Sequence, residues 1–452
     1  MPIGNTIVAL STPMGESAIA LVRLSGPDCA QLAQDAFGLP TQPPARTVQV
    51  GSYNDLQNNE IDHCVYLYFH NGASYTGEPM LEIHCHGNPL IVQKIIEDLI
   101  HRGCRMAEAG EFTRTAFENG KLDLAQAEAV VDVIHARSVR SLRAAQKQLS
   151  GALGRRISQF TESMLNMIAQ AEVYIDFPED DLPDEDKEIP IKYAQMLIDE
   201  LSQLIRTQHY SALLHEGINT IILGAPNAGK SSLLNALTGQ DRAIVSEIPG
   251  TTRDFISEKI MIEPYCINII DTAGIHETSD RIESLGIKKT VEKAQHADLY
   301  IVVIDSTEPY PQFPEIIKNK LTPTNTIILL NKIDLQKSKY EKIQFNNYPT
   351  KHISLKTGEN CDELPGFIKQ VLEADKILPN NDDLILNARH ATALEKVKKS
   401  IEISQKRMQD GVFDEITAGE LRIGLDSLGE VVGKIDNERI LDKLFETFCI
   451  GK

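Results

Sequence analysis

Residues 224–231 read Gly-Ala-Pro-Asn-Ala-Gly-Lys-Ser. The spacing Gly-x-x-x-x-Gly-Lys-Ser is that of a loop that wraps phosphates. The apolar run Ile218–Leu223 stands before it and the helix-like stretch Ser232–Leu237 after it. Strand, glycine-rich turn and helix predict an α/β domain built on a parallel sheet. Gly224 and Gly229 let the backbone curl so that its N–H groups face phosphate oxygens, and the helix N-terminus adds partial positive charge. Lys230 is expected to reach the β- and γ-phosphates, and the Ser231 hydroxyl to ligate magnesium. Asn227, Ala228, Gly229 and Ser232 complete the expected contacts of this loop.

Three further loops follow in order. Asp271-Thr272-Ala273-Gly274 ends the apolar run Cys266–Ile270, and Asn331-Lys332-Ile333-Asp334 ends Thr326–Leu330. Ser354-Leu355-Lys356 follows His352-Ile353. In open α/β sheets ligands sit at such carboxyl ends. Asp271 can hold magnesium through water, and the Gly274 N–H can meet the γ-phosphate. The Asp334 carboxylate can accept from guanine N1–H and its 2-amino group, a donor pair adenine lacks. A carboxylate left unpaired rejects the wrong base, so GTP rather than ATP is expected. Leu355 departs from the alanine usual in the third loop.

Ile275 follows Gly274, where many regulatory GTPases carry the glutamine that orients water. Another group must do that work. Asn227 could ligate a monovalent cation beside the phosphates, or simply be a turn residue. The segment Ser246, Glu247, Ile248, Pro249, Gly250, Thr251, Thr252 could wrap that cation with carbonyls. Glu283 could polarise water, or be an exposed helix carboxylate.

Motifs outside these loops carry a family resemblance along nearly the whole chain. They are Val22-Arg23-Leu24-Ser25-Gly26, Tyr75-Thr76-Gly77-Glu78, Leu81-Glu82-Ile83-His84-Cys85-His86-Gly87 and Gly110-Glu111-Phe112-Thr113. Lys121–Glu128, Ile175-Asp176-Phe177-Pro178 and the terminal Phe448-Cys449-Ile450-Gly451-Lys452 complete them. The chain resembles the bacterial tRNA-modification GTPase family MnmE (TrmE), within the TrmE-Era-EngA-like class. The resemblance implies a GTP hydrolase activated when two G domains of a homodimer meet. By position, Asn227, Ser246, Ile248 and Thr251 would hold potassium, Ser231 and Thr252 magnesium, and Glu283 the attacking water. It also implies a flavin-containing partner (MnmG, or GidA) in a heterotetramer. The reaction implied adds a (carboxymethyl)aminomethyl group to C5 of the wobble uridine, position 34, of certain tRNAs. Arg23, Glu82, Lys121 and Lys452 match positions that bind 5-formyltetrahydrofolate or a related reduced folate. Cys449 matches a residue of the modification chemistry; without the resemblance it reads as a small buried residue.

A chain of 452 residues exceeds one hydrophobic core, so two to four domains are expected. The expected architecture is an α+β folate-binding-like domain (1–118), an all-α bundle in two parts (119–212 and 379–452) and an inserted Ras-like α/β GTPase domain (213–378). Apolar residues at helical spacing include Met164, Leu165, Ile168, Ala171 and later Leu394, Val397, Ile401. The acidic run Glu179–Glu188, closed by Pro190, reads as an exposed loop. There is no apolar run of membrane-spanning length and no signal-like start. Seven scattered cysteines fit a reducing, cytoplasmic setting. A net charge of −19 argues against a surface coated by nucleic acid. The basic positions Arg137, Arg140, Arg143, Lys147, Arg155 and Arg156 read either as a tRNA patch or, more simply, as a solvated face. Glu82, His84 and His86 share a strand face, but Cys85 would point away, which disfavours a metal site. The competing reading is an Era-like ribosome-assembly switch. That would call for a second G domain or a basic tail, and the chain shows neither.

Overall fold

A computed structural model describes residues 6–176, 184–215, 217–238, 257–270, 297–308, 311, 313, 315–335, 347–374, 384–433, 445, 448 and 451. Strands are numbered in chain order as β1 Ile7–Leu10, β2 Ser17–Ser25, β3 Gln49–Asn54, β4 Glu60–Phe69, β5 Met80–Gly87, β6 Arg105–Met106, β7 Ile218–Leu223, β8 Ser257–Ile262, β9 Tyr265–Ile270, β10 Leu299–Asp305, β11 Thr326–Asn331 and β12 Thr350–His352. The chain divides into two units. One contains residues 1–131, 148–194 and 399–452, the other 132–147 and 195–398.

The first unit carries a sheet of order β3-β4-β5-β2-β1-β6. Its neighbours are antiparallel except β1 with β6. The strands alternate as half-covered strands must. Val22, Leu24, Leu81, Ile83 and Cys85 pack against Leu32, Ile95 and Leu99 of the helices Cys29–Phe37 and Pro89–His101. Each such aliphatic side chain contributes about 1.5–3 kcal/mol by burial. The intervening Arg23 and Glu82 therefore face the other side of the sheet, opposite one another in register. Asn88 starts the second of these helices by accepting from the Leu90 N–H at 2.9 Å, with Pro89 at the first helical position.

The helix Glu111–Glu118 is fastened to this sheet. Arg105 donates to both carboxylate oxygens of Glu111, one at 2.9 Å, and the Glu108 N–H donates at 2.8 Å. Burial pushes the Glu111 carboxyl up, but Arg105 and the Glu108 amide outweigh it, so the group titrates below its ordinary value. A carboxylate with a depressed folded pKa stabilises above the unfolded pKa of about 4.3 and loses that contribution as pH falls through the folded value. Arg105 remains 38% exposed, which discounts the pair. Glu111→Gln is expected to cost about 1 kcal/mol at pH 7 in urea unfolding. The gap to wild type should close below about pH 4; a gap unchanged between pH 7 and pH 3 refutes the assignment.

In the same unit the helices Ala152–Asp176 and Glu415–Val432 pack together. Gly424 lets them close: a Cβ there would lie 2.8 Å from the Met164 Cε and 3.1 Å from the Ser400 Cβ. Met164, Ile168 and Ala171 are buried as the spacing predicts. Leu165 is a correction. It is 50% exposed, because one residue of helical advance turns it about 100° out of the apolar stripe. The acidic run is a second correction. Its part from Asp184 onward is the first turn and more of a helix, Asp184–Arg206, with Pro190 inside it. Acidic residues suit a helix N-terminus. Pro190 is the seventh residue, past the four free N–H positions, so the helix gives up one backbone bond there. Residues 179–183 lie outside the described residues.

The second unit holds a sheet of order β12-β11-β10-β7-β9-β8, parallel except for the antiparallel edge strand β8. Its strands are apolar on both faces. Leu299, Ile301 and Val303 of β10 join one cluster, while Tyr300, Val302 and Ile304 join the other. Double-sided cover explains the near-continuous apolar runs. Sequence neighbours β7, β8 and β9 lie to one side of the β7–β10 junction and β10, β11 and β12 to the other, which opens a crevice at their carboxyl ends. Arg140, in the helix Val139–Leu149, is drawn into this unit. It donates to the Tyr265 hydroxyl at 3.0 Å, which donates to Glu373 at 3.1 Å. One member of the basic stripe is thus committed to internal structure, while Arg137 and Arg143 stay exposed.

Candidate nucleotide-binding site

The loop after β7 is shaped by its glycines. Gly224 has φ +156°, and a Cβ there would sit 2.3 Å from the Val303 carbonyl oxygen. Gly229 has φ +107°, in the left-handed region, and a Cβ would sit 2.3 Å from Asn331 Nδ2. Asn227 is also left-handed, at φ +60°, a conformation asparagine tolerates better than most residues. Its side chain is exposed. The turn reading of Asn227 therefore accounts for its backbone by itself.

Lys230 begins the helix Lys230–Thr238. Its ammonium turns back over the loop, donating to the carbonyls of Gly224 at 3.0 Å and Ala225 at 2.8 Å. Burial holds its pKa below the ordinary lysine value. A phosphate anion in the loop would favour the charged form and supply the missing counter-charge. Ser231 and Ser232 are exposed in the first turn, where a hydroxyl can reach a phosphate-bound cation.

Asn331 ties the loops together. It is 3% exposed; its Nδ2 donates to the Ala228 carbonyl at 2.8 Å and its Oδ1 accepts from the Leu355 N–H at 3.0 Å. The tie explains why Leu355 is tolerated: the backbone makes the bond, and the side chain packs against the core of the unit. Ser354 Oγ donates to Asp334 Oδ1 at 2.7 Å and also accepts from the Thr357 N–H at 3.2 Å. One oxygen of Asp334 is thereby held, and the carboxylate is fixed at the mouth of the crevice. Lys356 follows on the same loop, which closes through Gly358 N–H to the Ser354 carbonyl at 2.9 Å.

Two residues that motif reading passes over enter the same neighbourhood. Asp305 ends β10 opposite Asn331 of β11. It pairs with Lys332 at 2.6 Å and accepts from the Thr307 N–H at 2.9 Å and hydroxyl at 2.6 Å. Burial raises the Asp305 carboxyl, but Lys332 and Thr307 outweigh it and hold the carboxyl below the usual carboxylate range. The signal was available: Asp305 closes an apolar run just as Asp271 does.

The remaining expected contacts lie outside the described residues. These are Ser246, Glu247, Ile248, Pro249, Gly250, Thr251, Thr252, Asp271, Thr272, Ala273, Gly274 and Glu283, together with Cys449 and Lys452.

In the first unit the other expected residues gather round one loop. Glu82 Oε1 accepts from Arg23 Nε at 3.0 Å and Nη2 at 2.9 Å. The Arg23 guanidinium also lies 5.9 Å from the Tyr75 ring and 6.0 Å from that of Phe112. Lys121 donates to the Gly72 carbonyl at 2.5 Å, and Asn119 to that of Thr76 at 2.8 Å, which pins the loop carrying Tyr75. On the neighbouring positions, His86 is bonded to Asp62 at 2.8 Å. Cys85 faces the core, where burial pushes its thiol up to about 11. Gly451 reaches this sheet too: Ser11 Oγ donates to its carbonyl at 3.0 Å.

Comparisons with known proteins agree along the chain. The family description "MnmE helical domain" matches residues 124–449, and "GTP-binding protein TrmE N-terminus" matches residues 6–121. The tRNA modification GTPase MnmE of Opitutus terrae is 43% identical over 452 residues, covering 100% of both chains. The protein of the same name from Aquifex aeolicus is 38% identical, covering 99% of each. The G domain of the T. maritima FeoB iron transporter is 27% identical, covering 34% of this chain and 99% of its own, with a TM-score of 0.25. No helix among the described residues is long and apolar enough to cross a membrane. With the phosphate loop, the base-binding loops and these matches spanning the whole sequence, the chain belongs to the MnmE family of tRNA-modification GTPases.

Proposed function

We propose that this protein is a homodimeric, potassium-stimulated GTPase that modifies the wobble uridine of certain tRNAs together with a flavin-containing partner. Full-length membership in the family, joined to an assembled phosphate loop, carries this reading. Lys230 and the loop amides would hold the phosphates, and Asp334, fixed by Ser354, would select guanine. Ser231 fits a magnesium ligand by its exposure and position, and Thr252 is its proposed companion. Asn227, Ser246, Ile248 and Thr251 are the proposed potassium ligands. Such a cation supplies positive charge where phosphoryl oxygens gain negative charge during hydrolysis. Glu283 is the proposed water-positioning group, since Ile275 cannot serve. Meeting of paired G domains would complete the site and couple hydrolysis to rearrangement of the complex.

The first unit would bind the reduced folate that provides the one-carbon unit. Support comes from the outward Arg23–Glu82 pair, from Lys121 on the adjoining loop, and from the chain end docked through Gly451. Glu82 Oε2 is free among the described bonds to meet the amino and ring N–H donors of a pterin. Lys452 and Cys449 are assigned to the folate and to the modification chemistry by family position. The domain limits proposed for these roles are 1–118, 119–212, 213–378 and 379–452, in a cytoplasmic protein.

GTP hydrolysis in potassium against sodium at equal ionic strength tests the proposal. Stimulation of at least about tenfold is expected, below the 10³–10⁵ of an arginine finger. The stimulation should vanish in Asn227→Ala. Equal rates in both salts would remove the potassium assignment and favour a simple switch GTPase.

A further inference from the structure

Lys332 is held in an unusual way. Its backbone is left-handed, at φ +65°, although lysine is not a residue that adopts this conformation readily. Strain of this kind persists where surrounding structure over-determines it, and it gathers at ligand sites. The residues around it are committed to the nucleotide loops: Asn331 binds the phosphate loop and the third loop, the Ile333 N–H donates to the Ile353 carbonyl at 3.4 Å, and Asp334, two residues on, is held by Ser354. From this position the Lys332 side chain reaches from the end of β11 to the end of β10. There its ammonium meets Asp305 Oδ2 at 2.6 Å.

The acceptor is itself oriented. Asp305 is 8% exposed, and its other oxygen takes two bonds from Thr307. The next residue, Ser306, donates its N–H to the Asn331 carbonyl at 2.9 Å. A lysine stem tied at both ends has little rotamer freedom left. It becomes a fixed apolar strip along the crevice between two parallel strand ends, where a ligand of this sheet lies. A free lysine would have to be ordered when the ligand arrives, at a cost in side-chain entropy.

We propose that Asp305 is a positioning residue for guanine-nucleotide binding, pinning the Lys332 ammonium so that the lysine stem forms a preset wall of the base pocket. The inference rests on the reading of the crevice as a GTP site and names a residue outside its motifs. Asp305 acts through Lys332 and need not touch the nucleotide.

The test uses the full-length protein and a fluorescent GDP in magnesium- and potassium-containing buffer. Wild type, Asp305→Asn, Lys332→Met and the double variant are titrated. Failure of the wild type to bind GDP would overturn the crevice reading, whatever Asp305 does. With binding established, Asp305→Asn is expected to weaken GDP roughly tenfold, the usual effect of losing a hydrogen bond between charged groups. The double variant should bind no worse than Lys332→Met alone. Losses that multiply in the double variant, or wild-type affinity in Asp305→Asn, overturn the proposal. Inosine diphosphate supplies a readout that general damage to the pocket would move. With Asp334 intact, the ratio of GDP to inosine diphosphate affinity should stay at the wild-type value in Asp305→Asn; collapse of that ratio means the base loops themselves have been disrupted and also overturns the proposal. If Asp305→Asn does not fold, Thr307→Val carries the same test. It removes only the hydroxyl bond that orients Asp305 and is expected to weaken GDP severalfold, and unchanged affinity overturns the proposal.

Discussion

Asp334→Asn is expected to lower affinity for GTP by about 10³-fold while creating affinity for xanthosine triphosphate. The carboxylate offers acceptors to the two adjacent donors of guanine. An amide keeps one acceptor and places a donor beside it, so one guanine N–H faces another N–H with no partner. A site built to bond a substrate group and then denied that bond discriminates by about 10⁴–10⁵. The lower figure expected here allows for the compensation that water gives at a crevice open on one side. Xanthine carries a carbonyl where guanine carries the amino group, which restores a matched pair. The fold should survive, because the bond from Ser354 Oγ to Asp334 Oδ1 at 2.7 Å needs only an acceptor, and Asn retains one. Titration with both labelled nucleotides measures the exchange. Unchanged preference for GTP would show that Asp334 does not read the base.

Gly229→Ala is expected to abolish measurable GTP binding, a loss of at least about 100-fold. Two penalties add. An alanine at φ +107° is strained, by roughly 1–2 kcal/mol in the left-handed region. Its Cβ would also stand 2.3 Å from Asn331 Nδ2 and 3.3 Å from the Leu355 side chain. Asn331 must then give up its bond to the Ala228 carbonyl, and the phosphate loop separates from the base-binding loops. Gly358→Ala isolates the first penalty. It has a similar backbone, φ +83°, but nothing lies within 4 Å of its added carbon. That variant should keep GTP affinity within a few-fold of wild type. Equal damage by both would mean that backbone strain, not close approach, governs this loop.

The phosphate loop and its order relative to the later loops were legible because their demands are local. A turn that curls round phosphate needs glycine at set positions, and a strand covered on both faces needs an unbroken apolar run. Alternation placed Glu82, His84 and His86 on one face of β5; that Arg23 lies opposite Glu82 came only from the register of β2 against β5. Leu165 misled because helical spacing admits two adjacent residues to one stripe while the packed neighbour accepts only one. The acidic run misled because acidic residues, which discourage a helix in its middle, are favoured at its N-terminus, and because one interior proline, Pro190, removes a single bond without ending this helix. Asp305 was missed because its one signal, the end of an apolar run, is not part of any tetrapeptide motif. Its role depends on β10 lying next to β11, a fact of strand order.

By itself the sequence determined the kind of ligand, the family, and the strand, loop and helix around residues 218–237, since each follows from short-range stereochemistry or residue spacing. Only the tertiary structure decided that Asn331 joins the phosphate loop to the third loop, that Arg140 turns inward to Tyr265, and that Asp305 holds Lys332. The reason is physical. A hydrogen bond or ion pair between residues 27 or 103 or 125 positions apart depends on how elements pack, and packing is set by the summed burial of many side chains rather than by any one motif.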